Sequence, residues 1–232
     1  MKRVAIVQSN YVPWKGYFDL ISSVDEFILL DEVQYTRRDW RNRNKIKTPQ
    51  GTKWLTIPVQ SKGRYHQRID ETLVSEPGWA ADHARTIRHA YAGAPAFDAY
   101  WPRLERVYEG IESERLSDVN RAFIAEICDA LEIETKLSWS TDYEARGTKT
   151  DRLLSLCEQS GAATYVSGPA ARDYFDHDAF SRAGIEVEWF EYPDYPEYEQ
   201  IHPPFEHRVS VLDLILNTGE RAPDYMRAPV RG

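Results

Sequence analysis

Aromatic and amide side chains are concentrated near the start of the chain, between residues 8 and 17. Side-chain amides can hydrogen-bond the hydroxyl groups of a ligand, and aromatic rings can pack against its apolar face. A glycine at the entrance to the following helix would let a ligand approach free backbone N–H groups. We interpret this first loop as a ligand-binding segment; the alternative is that its aromatic rings only cover the end of a sheet. Its candidate residues are Gln8, Asn10, Tyr11, Trp14, Gly16 and Tyr17.

A second candidate loop, residues 31–43, runs into a strongly basic stretch. Six cations and one acid lie between Arg37 and Lys47, whereas the whole chain carries a net charge of −8. Guanidinium groups hold phosphate or carboxylate in a bidentate geometry, and an interleaved indole can stack on a planar group. We therefore predict a site for a specific anionic ligand; a solvent-exposed basic turn is the alternative. The candidate binding residues are Gln34, Arg38, Trp40, Arg41, Asn42 and Arg43.

A third loop, residues 167–172, could direct the Ser167 hydroxyl and the backbone amide of Gly168 toward an anion. It lacks the lysine of a P-loop and the glycine spacing of a dinucleotide-binding motif, so an ordinary strand-to-helix turn is the alternative. As general bases we consider Asp31, at the end of a predicted strand, and His83, on a predicted helix. A buried structural histidine is the alternative for His83.

Composition and spacing exclude several other classes of protein. The 37 acidic side chains outnumber the 29 basic ones, which argues against a general nucleic-acid binder. Cys128 and Cys157 lie in separate apolar helical patterns and are predicted to be core residues, not disulfide or zinc ligands. The acids flanking His177 do not predict a metal site, because adjacent helical residues point about 100° apart.

No apolar run approaches the roughly 18 residues of a membrane helix and no secretory signal follows Met1, so we expect a cytoplasmic protein.

The elements that would position these residues alternate between strand and helix. The chain has 232 residues, of which 42% are hydrophobic and 28% charged, as in ordinary globular proteins. Apolar runs typical of buried parallel strands lie at residues 4–8, 26–31, 163–167 and 185–190. This pattern predicts an α/β fold with a Rossmann-like, largely parallel sheet covered on both faces.

Loops that follow neighbouring parallel strands reach one edge of the sheet, so the first and second loops are expected to line a common cleft. We expect Tyr11 or Trp14 to face this cleft together with Gln34 or Arg38. The third loop would lie on its rim if the third strand lies alongside.

The rest of the chain is predicted to belong to one domain, residues 1–219, followed by a loose tail at 220–232. A helical pattern from Pro77 to Leu131 predicts a mostly helical insertion. An alternating run predicts a strand at 52–59, whose Pro58 places it at a sheet edge or near the strand end. Further helices are predicted at residues 150–160, 171–183 and 209–216.

Four segments, in this order, resemble the WbqC-like protein family. They are VAIVQSNYVPWKGYFDLISSVDEFILLDEVQYTRRDWRNRNKIKT, WLTIPV, TYVSGPAARDYF and VSVLDLILNTG, and they extend from residue 4 to about 219. Members of that family occur in gene clusters for O-antigen and other surface polysaccharides, and attachment of glycine or another acyl group to an amino sugar is proposed for them. The resemblance implies an acyl- or aminoacyltransferase of lipopolysaccharide or related polysaccharide biosynthesis. Its expected ligands are a sugar nucleotide or phosphorylated sugar and an acyl donor.

The first loop is also similar to that of nucleotidyltransferases of the pantothenate synthetase kind, which activate a carboxylate and then form an amide. In those enzymes the loop ends in Gly-His, whereas this chain has Gly16-Tyr17. The pair Gln34-Tyr35 is a further similarity. Two other functions therefore stay open besides the transferase: a nucleotide-binding or nucleotidyltransferase enzyme that needs ATP and magnesium ions, and a non-catalytic sugar-binding protein of the same pathway.

Overall fold

The computed structural model describes residues 1–169, 172 and 175–226. Two short 3₁₀ helices, Ser140–Asp142 and Gly219–Tyr225, accompany its regular elements. In chain order these elements are β1 (Arg3–Val7), α1 (Lys15–Ser22), β2 (Glu26–Leu29), β3 (Arg43–Thr48), β4 (Gly51–Thr56), α2 (Trp79–Tyr91), α3 (Phe97–Glu109), α4 (Leu116–Ala130), β5 (Lys136–Trp139), α5 (Thr150–Ser160), β6 (Thr164–Ser167), α6 (His177–Arg182), β7 (Glu186–Trp189) and α7 (Val211–Thr218).

Five strands form one parallel sheet in the order β5-β2-β1-β6-β7. Val7 pairs with Leu29 across β1 and β2, and Val4 pairs with Tyr165 across β1 and β6. The direction of strand addition reverses between β1 and β6, which is the arrangement of a Rossmann-like fold. The predicted α/β class is confirmed, and so is the prediction that the four apolar runs share one parallel sheet.

Both faces of the sheet are covered by hydrophobic cores. On one face, Ala5 and Phe27 pack in a core that also contains Phe123 of α4. On the other face, Ile28 packs in a core that contains Leu156 of α5. Because alternate side chains of the central strands β1 and β2 enter different cores, these strands are mostly apolar. The edge strands β5 and β7 instead expose Lys136, Glu186 and Glu188. The two cysteines are buried and unpaired, one in each core, as predicted.

The long connection between β2 and β5 contains the antiparallel hairpin β3–β4 and three helices. Helices α2, α3 and α4 confirm the helical pattern predicted between Pro77 and Leu131, and they share a hydrophobic core with the sheet. The strand predicted at 52–59 is β4, which ends at Thr56, before Pro58. Strand β3 was not predicted, because its cations were interpreted as part of a basic ligand-binding stretch, although they alternate with the inward-facing Asn44 and Ile46.

The chain between β7 and α7 contains no helix or strand over residues 191–204, which we call the tyrosine segment. Its Tyr195 and Tyr198 side chains are nevertheless buried. Helix α6 is shorter than the helix predicted at 171–183, of which residues 171, 173 and 174 lie outside the described residues.

The end of the described chain also differs from expectation. Instead of a loose tail from residue 220, the segment Gly219–Tyr225 forms a 3₁₀ helix in which Ala222 is buried. The last predicted tail residues, 227–232, lie outside the described residues.

Candidate functional site

The first and second loops meet at one edge of the sheet. The backbone N–H of Tyr11 donates to the carbonyl oxygen of Trp40 over 3.1 Å. The Arg41 guanidinium group donates to the side-chain oxygen of Asn10 and, over 3.2 Å, to that of Gln8. These contacts arise because β1 and β2 are parallel neighbours and deliver their following loops to the same edge.

A cavity of about 290 Å³ lies where these loops meet. Its wall combines two indole rings, two side-chain amides, a proline and a guanidinium group. The lining residues are Asn10, Pro13, Trp14, Trp40, Asn44 and Arg208. Three of them, Asn10, Trp14 and Trp40, were selected from the sequence. The volume is at the small end of the range of ligand sites, which suits a single small ring.

Trp14 is held in the cavity wall from two sides. Its ring centroid lies 5.2 Å from that of Tyr192 and 5.8 Å from that of Tyr195, both in the tyrosine segment. A Cβ atom at residue 16 would come within 2.3 Å of Cζ2 of Trp14. Gly16 therefore provides space for the indole, whereas the sequence led us to expect that it exposes backbone to a ligand.

Three polar side chains of the cavity have different roles. Nδ2 of Asn44 donates to the carbonyl oxygens of Tyr11 and Val12 over 3.2 and 2.9 Å, which ties the first loop to β3. In the part of the chain that the structure describes, the Arg208 guanidinium has no hydrogen-bond or ion-pair partner, and Nδ2 of Asn10 has no acceptor. Arg208 and Asn10 thus present donors to a ligand in the cavity.

Two of the three arginines predicted to hold phosphate are used within the protein. Besides its bonds to the first loop, Arg41 lies 3.7 Å from the Asp39 carboxylate. Arg43 donates to the backbone oxygen of Arg38, and its guanidinium carbon lies 4.2 Å from the ring centroid of Trp54. Arg38 itself is exposed. Arg41 and Arg43 therefore shape the second loop, and neither lines the cavity.

Asp31 lies beneath the two loops with its carboxylate enclosed. The backbone N–H and the hydroxyl of Ser9 donate to its two oxygens over 2.8 and 2.7 Å. Nδ2 of Asn120, on α4, donates to the Ser9 hydroxyl and to the Arg41 carbonyl, each over 2.9 Å. This buried network fixes the first loop, and Asp31 is not part of the cavity lining.

Tyr11 and His83 meet in the hydrophobic core and not at the cavity. The Tyr11 hydroxyl lies 2.8 Å from Nδ1 of His83 and 2.7 Å from the hydroxyl of Tyr108. Burial lowers the pKa of His83 to about 4, although a hydrogen bond with the backbone of Thr56 opposes the shift. Burial also raises the pKa of Tyr11 well above its ordinary value. The His83 ring is therefore neutral at pH 7.

Three further predicted residues donate to backbone carbonyls of the protein itself. Tyr17 donates over 3.0 Å to a carbonyl in the first loop. Gln34 donates over 2.8 Å to a carbonyl in the loop before α2, and Asn42 donates over 2.8 Å to the carbonyl that follows β4. These contacts position the loops, and none of the three side chains lines the cavity.

The third loop begins at the end of β6. Ser167 is buried, and a Cβ atom at Gly168 would lie 3.9 Å from the hydroxyl of Tyr192. These two residues are therefore near the tyrosine segment, which also contacts Trp14. Ala170 and Ala171 of this predicted loop lie outside the described residues.

Lys15, which was not selected from the sequence, lies behind the cavity and is 3% exposed. Its Nζ donates to the Pro196 carbonyl over 3.3 Å and lies 4.8 and 5.3 Å from the ring centroids of Tyr195 and Tyr198. Burial lowers the pKa of Lys15 to about 8, and two buried carboxylates oppose the shift.

No sequence signal could identify Lys15 or Arg208, because their surroundings come from distant segments. The alternation around Ile46 could have identified Asn44 as inward-facing.

Among the described residues, no group of three or more His, Cys, Asp or Glu side chains is arranged to hold a metal ion. No helix in that part of the chain has the length and apolar character needed to cross a bilayer.

The fold and the cavity define an α/β protein with a Rossmann-like sheet and a candidate site at the carboxyl ends of its strands. The model of the WbqC-like protein family matches residues 8–225, and the chain belongs to this family. It is 51% identical over 227 residues to the uncharacterized protein Rv1507c of Mycobacterium tuberculosis, with 98% of each chain covered. The comparison with solved structures found no match.

Proposed function

We propose that this protein binds a phosphorylated or nucleotide-linked amino sugar in the cavity and transfers an acyl or aminoacyl group, of the glycine type, to its amine. The reaction would belong to surface polysaccharide (O-antigen) biosynthesis in the cytoplasm. This biological context follows from the resemblance to the family. The chemistry of the cavity supports the binding part.

The cavity wall is the observation that carries the proposal. Indole rings such as Trp14 and Trp40 suit the apolar face of a pyranose ring, because aromatic side chains offer a large flat contact area. The amide nitrogen of Asn10 and the guanidinium of Arg208 have no partner among the described residues. The amide can donate to a hydroxyl group, and the guanidinium suits a phosphate. A wall that combines apolar rings with a few polar groups is typical of sites for small molecules.

The proposed step forms one bond and breaks one. The sugar amine nitrogen bonds to the carbonyl carbon of the acyl donor, and the leaving group departs with the electron pair of the bond that breaks. The amine proton passes to a base, for which we propose Asp31 or His83. Since both are hydrogen-bonded inside the protein, this assignment requires that substrate binding opens a path to one of them.

That enclosure favours a second candidate function, a sugar-binding protein without catalytic activity. Each oxygen of the Asp31 carboxylate accepts a hydrogen bond from Ser9, and His83 is neutral and buried against Tyr11. A protein that only carries or presents a sugar would need the cavity but no accessible base.

Calorimetry and mass spectrometry test the proposal together. We expect amino sugar phosphates to bind, and Arg208→Ala to weaken binding by about tenfold, since a charge-assisted hydrogen bond is worth roughly 1.5–3 kcal/mol. Arg85→Ala, an exposed arginine of α2 paired with Asp82, is the matched control and should bind normally. Absence of binding by every amino sugar phosphate would contradict both candidate functions.

Incubation with amino sugar substrates and activated acyl donors, or with glycine, ATP and magnesium ions, distinguishes the remaining functions. A product heavier by one acyl or glycyl group supports the transferase, and a requirement for ATP supports the nucleotidyltransferase-like mechanism. Binding without any product favours the non-catalytic protein.

A further inference from the structure

Two exposed tryptophans lie side by side next to the cavity. Trp40 is 44% exposed and Trp54 is 41% exposed, although such large apolar side chains are mostly buried in folded proteins. Their ring centroids are 5.5 Å apart and their planes are inclined by 33°. Trp40 also lines the cavity, so this indole pair continues the cavity wall onto the surface. An exposed aromatic patch of this kind is typical of a binding site.

Positive charge borders the indole pair. The hairpin register places Lys45 opposite Trp54, so the two side chains share one face of the hairpin, and Nζ of Lys45 lies 5.1 Å from the Trp54 ring centroid. Arg43 packs on the same ring. Besides Lys45, Arg208 in the cavity wall provides a second cation. Neither Lys45 nor Arg208 pairs with an acid among the described residues.

The size of the cavity indicates what lies on this surface. A volume of about 290 Å³ suits one sugar ring, and the cavity is partly open to solvent, so a larger ligand such as a sugar nucleotide would extend out of it. The remainder of such a ligand would extend over Trp40, where it would meet aromatic rings and unpaired cations. Planar bases stack on aromatic side chains, and cations hold phosphate.

We infer that Trp40 and Trp54 form a stacking platform for the base of a nucleoside diphosphate, whose phosphates contact Lys45 and Arg208 and whose attached sugar occupies the cavity. The inference rests on the proposed function and deepens it, because it selects a sugar nucleotide over a simple sugar phosphate. It also assigns phosphate binding to Lys45 and Arg208, which have no acidic partner among the described residues, and not to Arg41 and Arg43, which bond to other parts of the protein.

A single-stranded nucleic acid could use the same combination of indoles and cations. Such proteins track the backbone with an extended basic groove, whereas this chain carries a net charge of −8. A single pair of indoles beside a small, partly open cavity favours a small ligand.

Calorimetry with matched ligands tests the platform. The probes are uridine, guanosine and thymidine diphosphates, the glucosamine conjugate of the one that binds most tightly, and glucosamine 1-phosphate, which lacks the nucleoside. We expect the conjugate to bind at least about tenfold more tightly than the sugar 1-phosphate, and Trp40→Ala or Trp54→Ala to remove this gain. Lys45→Ala should weaken binding of the diphosphate. Tyr65→Ala removes an aromatic ring that is 73% exposed outside the cavity and should leave every affinity unchanged.

The outcomes separate this inference from the proposed function. Equal affinities for the conjugate and the sugar 1-phosphate, or failure of all three nucleoside diphosphates to bind, would overturn the platform and leave the sugar site intact. Binding of a diphosphate that depends on Trp40, with no binding of the sugar 1-phosphate, would support the platform and contradict the sugar site. Affinity for uridine oligonucleotides that rises steeply with their length would overturn the inference in favour of nucleic-acid binding. Melting temperatures of the variants within a few degrees of the parent protein establish that these are binding effects.

Discussion

At the scale of residues, hydrogen bonding separates the side chains that can contact a ligand from those that hold the loops. Asp31 and His83 are the predicted general bases, yet their polar atoms are hydrogen-bonded inside the protein. Asn10 and Arg208 retain donors that face the cavity. A buried polar group without a partner is costly, so buried polar groups are paired and those available to a ligand lie at the surface.

Gly16→Ala tests whether the position of Trp14 in the cavity wall depends on the absence of a side chain at residue 16. Alanine in a helix ordinarily stabilises by about 0.5–1 kcal/mol relative to glycine. Here the new Cβ would come within 2.3 Å of Trp14, so the indole must move out of the cavity wall. We expect affinity for an amino sugar phosphate to fall by about tenfold, a loss of about 1.4 kcal/mol, as measured by calorimetry.

Gly93→Ala is the matched control, because its Cβ would meet only the Ile201 side chain, at 3.1 Å, and residue 93 does not line the cavity. Unchanged affinity in Gly16→Ala would show that Trp14 does not contact the ligand.

At the scale of elements, the tyrosine segment shows how an irregular stretch can be well anchored. The hydroxyl of Tyr195 donates to Asp19 and that of Tyr198 donates to Asp213, each over 2.7 Å. Burial raises the pKa of Asp213, while hydrogen bonds from Tyr198 and neighbouring donors oppose the shift. The segment replaces the hydrogen bonds of a helix or strand with side-chain bonds to buried carboxylates, and thereby holds Trp14 in place.

Tyr198→Phe removes one of these bonds and retains the ring. We expect the free energy of unfolding to fall by about 1.5–3 kcal/mol, because the bond involves a buried carboxylate and leaves one of its oxygens with fewer donors. Urea unfolding followed by circular dichroism measures the change. Tyr65→Phe removes an exposed hydroxyl and should alter stability by less than about 0.5 kcal/mol. Equal stability of Tyr198→Phe and the parent would show that the segment is held by packing alone.

At the scale of the whole molecule, the cluster around His83 joins parts of the chain that are distant in sequence. The ring contacts Tyr11 from the first loop and the backbone of Thr56 at the end of β4, and Tyr11 in turn contacts Tyr108 of α3. The sheet edge, the hairpin and two helices are therefore linked by one neutral histidine.

Acid should destabilise the protein through this histidine. Its pKa of about 4 in the folded state lies below the ordinary value of 6.5, so the unfolded state binds the proton more tightly. The stability that depends on a neutral His83 is fully present above about pH 6.5. As the pH falls toward 4, the free energy of unfolding decreases by up to about 3 kcal/mol. We expect His83→Gln to flatten the dependence of the unfolding free energy on pH in this window. His89→Gln, an exposed position on the same helix, should retain the parent's slope, and an identical slope in His83→Gln would contradict the assignment.

Local sequence patterns were sufficient to predict the parallel sheet and most of its helices. Short apolar runs such as 4–8 and 26–31 are typical of buried strands, and their alternation with helices leaves few ways to pair them. Strand β3 was not predicted because its three alternating cations were interpreted as a basic ligand-binding stretch, although their spacing is that of a strand. The anchoring of the tyrosine segment and the burial of Ala222 depend on contacts with distant elements, which no local pattern contains.

The candidate site, like the fold, was predictable from the sequence only in part. The aromatic and amide loop after β1 was recognisable because its residue types are unusual for a connecting loop, and Trp14 does line the cavity. Asn44 and Arg208 complete that cavity only because the hairpin and the chain before α7 fold against the first loop. Whether a polar side chain faces a ligand or another protein atom depends on its three-dimensional neighbours, which is why Asp31 and Arg41 have the right chemistry but are bonded internally. Residue type and spacing determine what a side chain can do, whereas tertiary packing determines which atoms it meets.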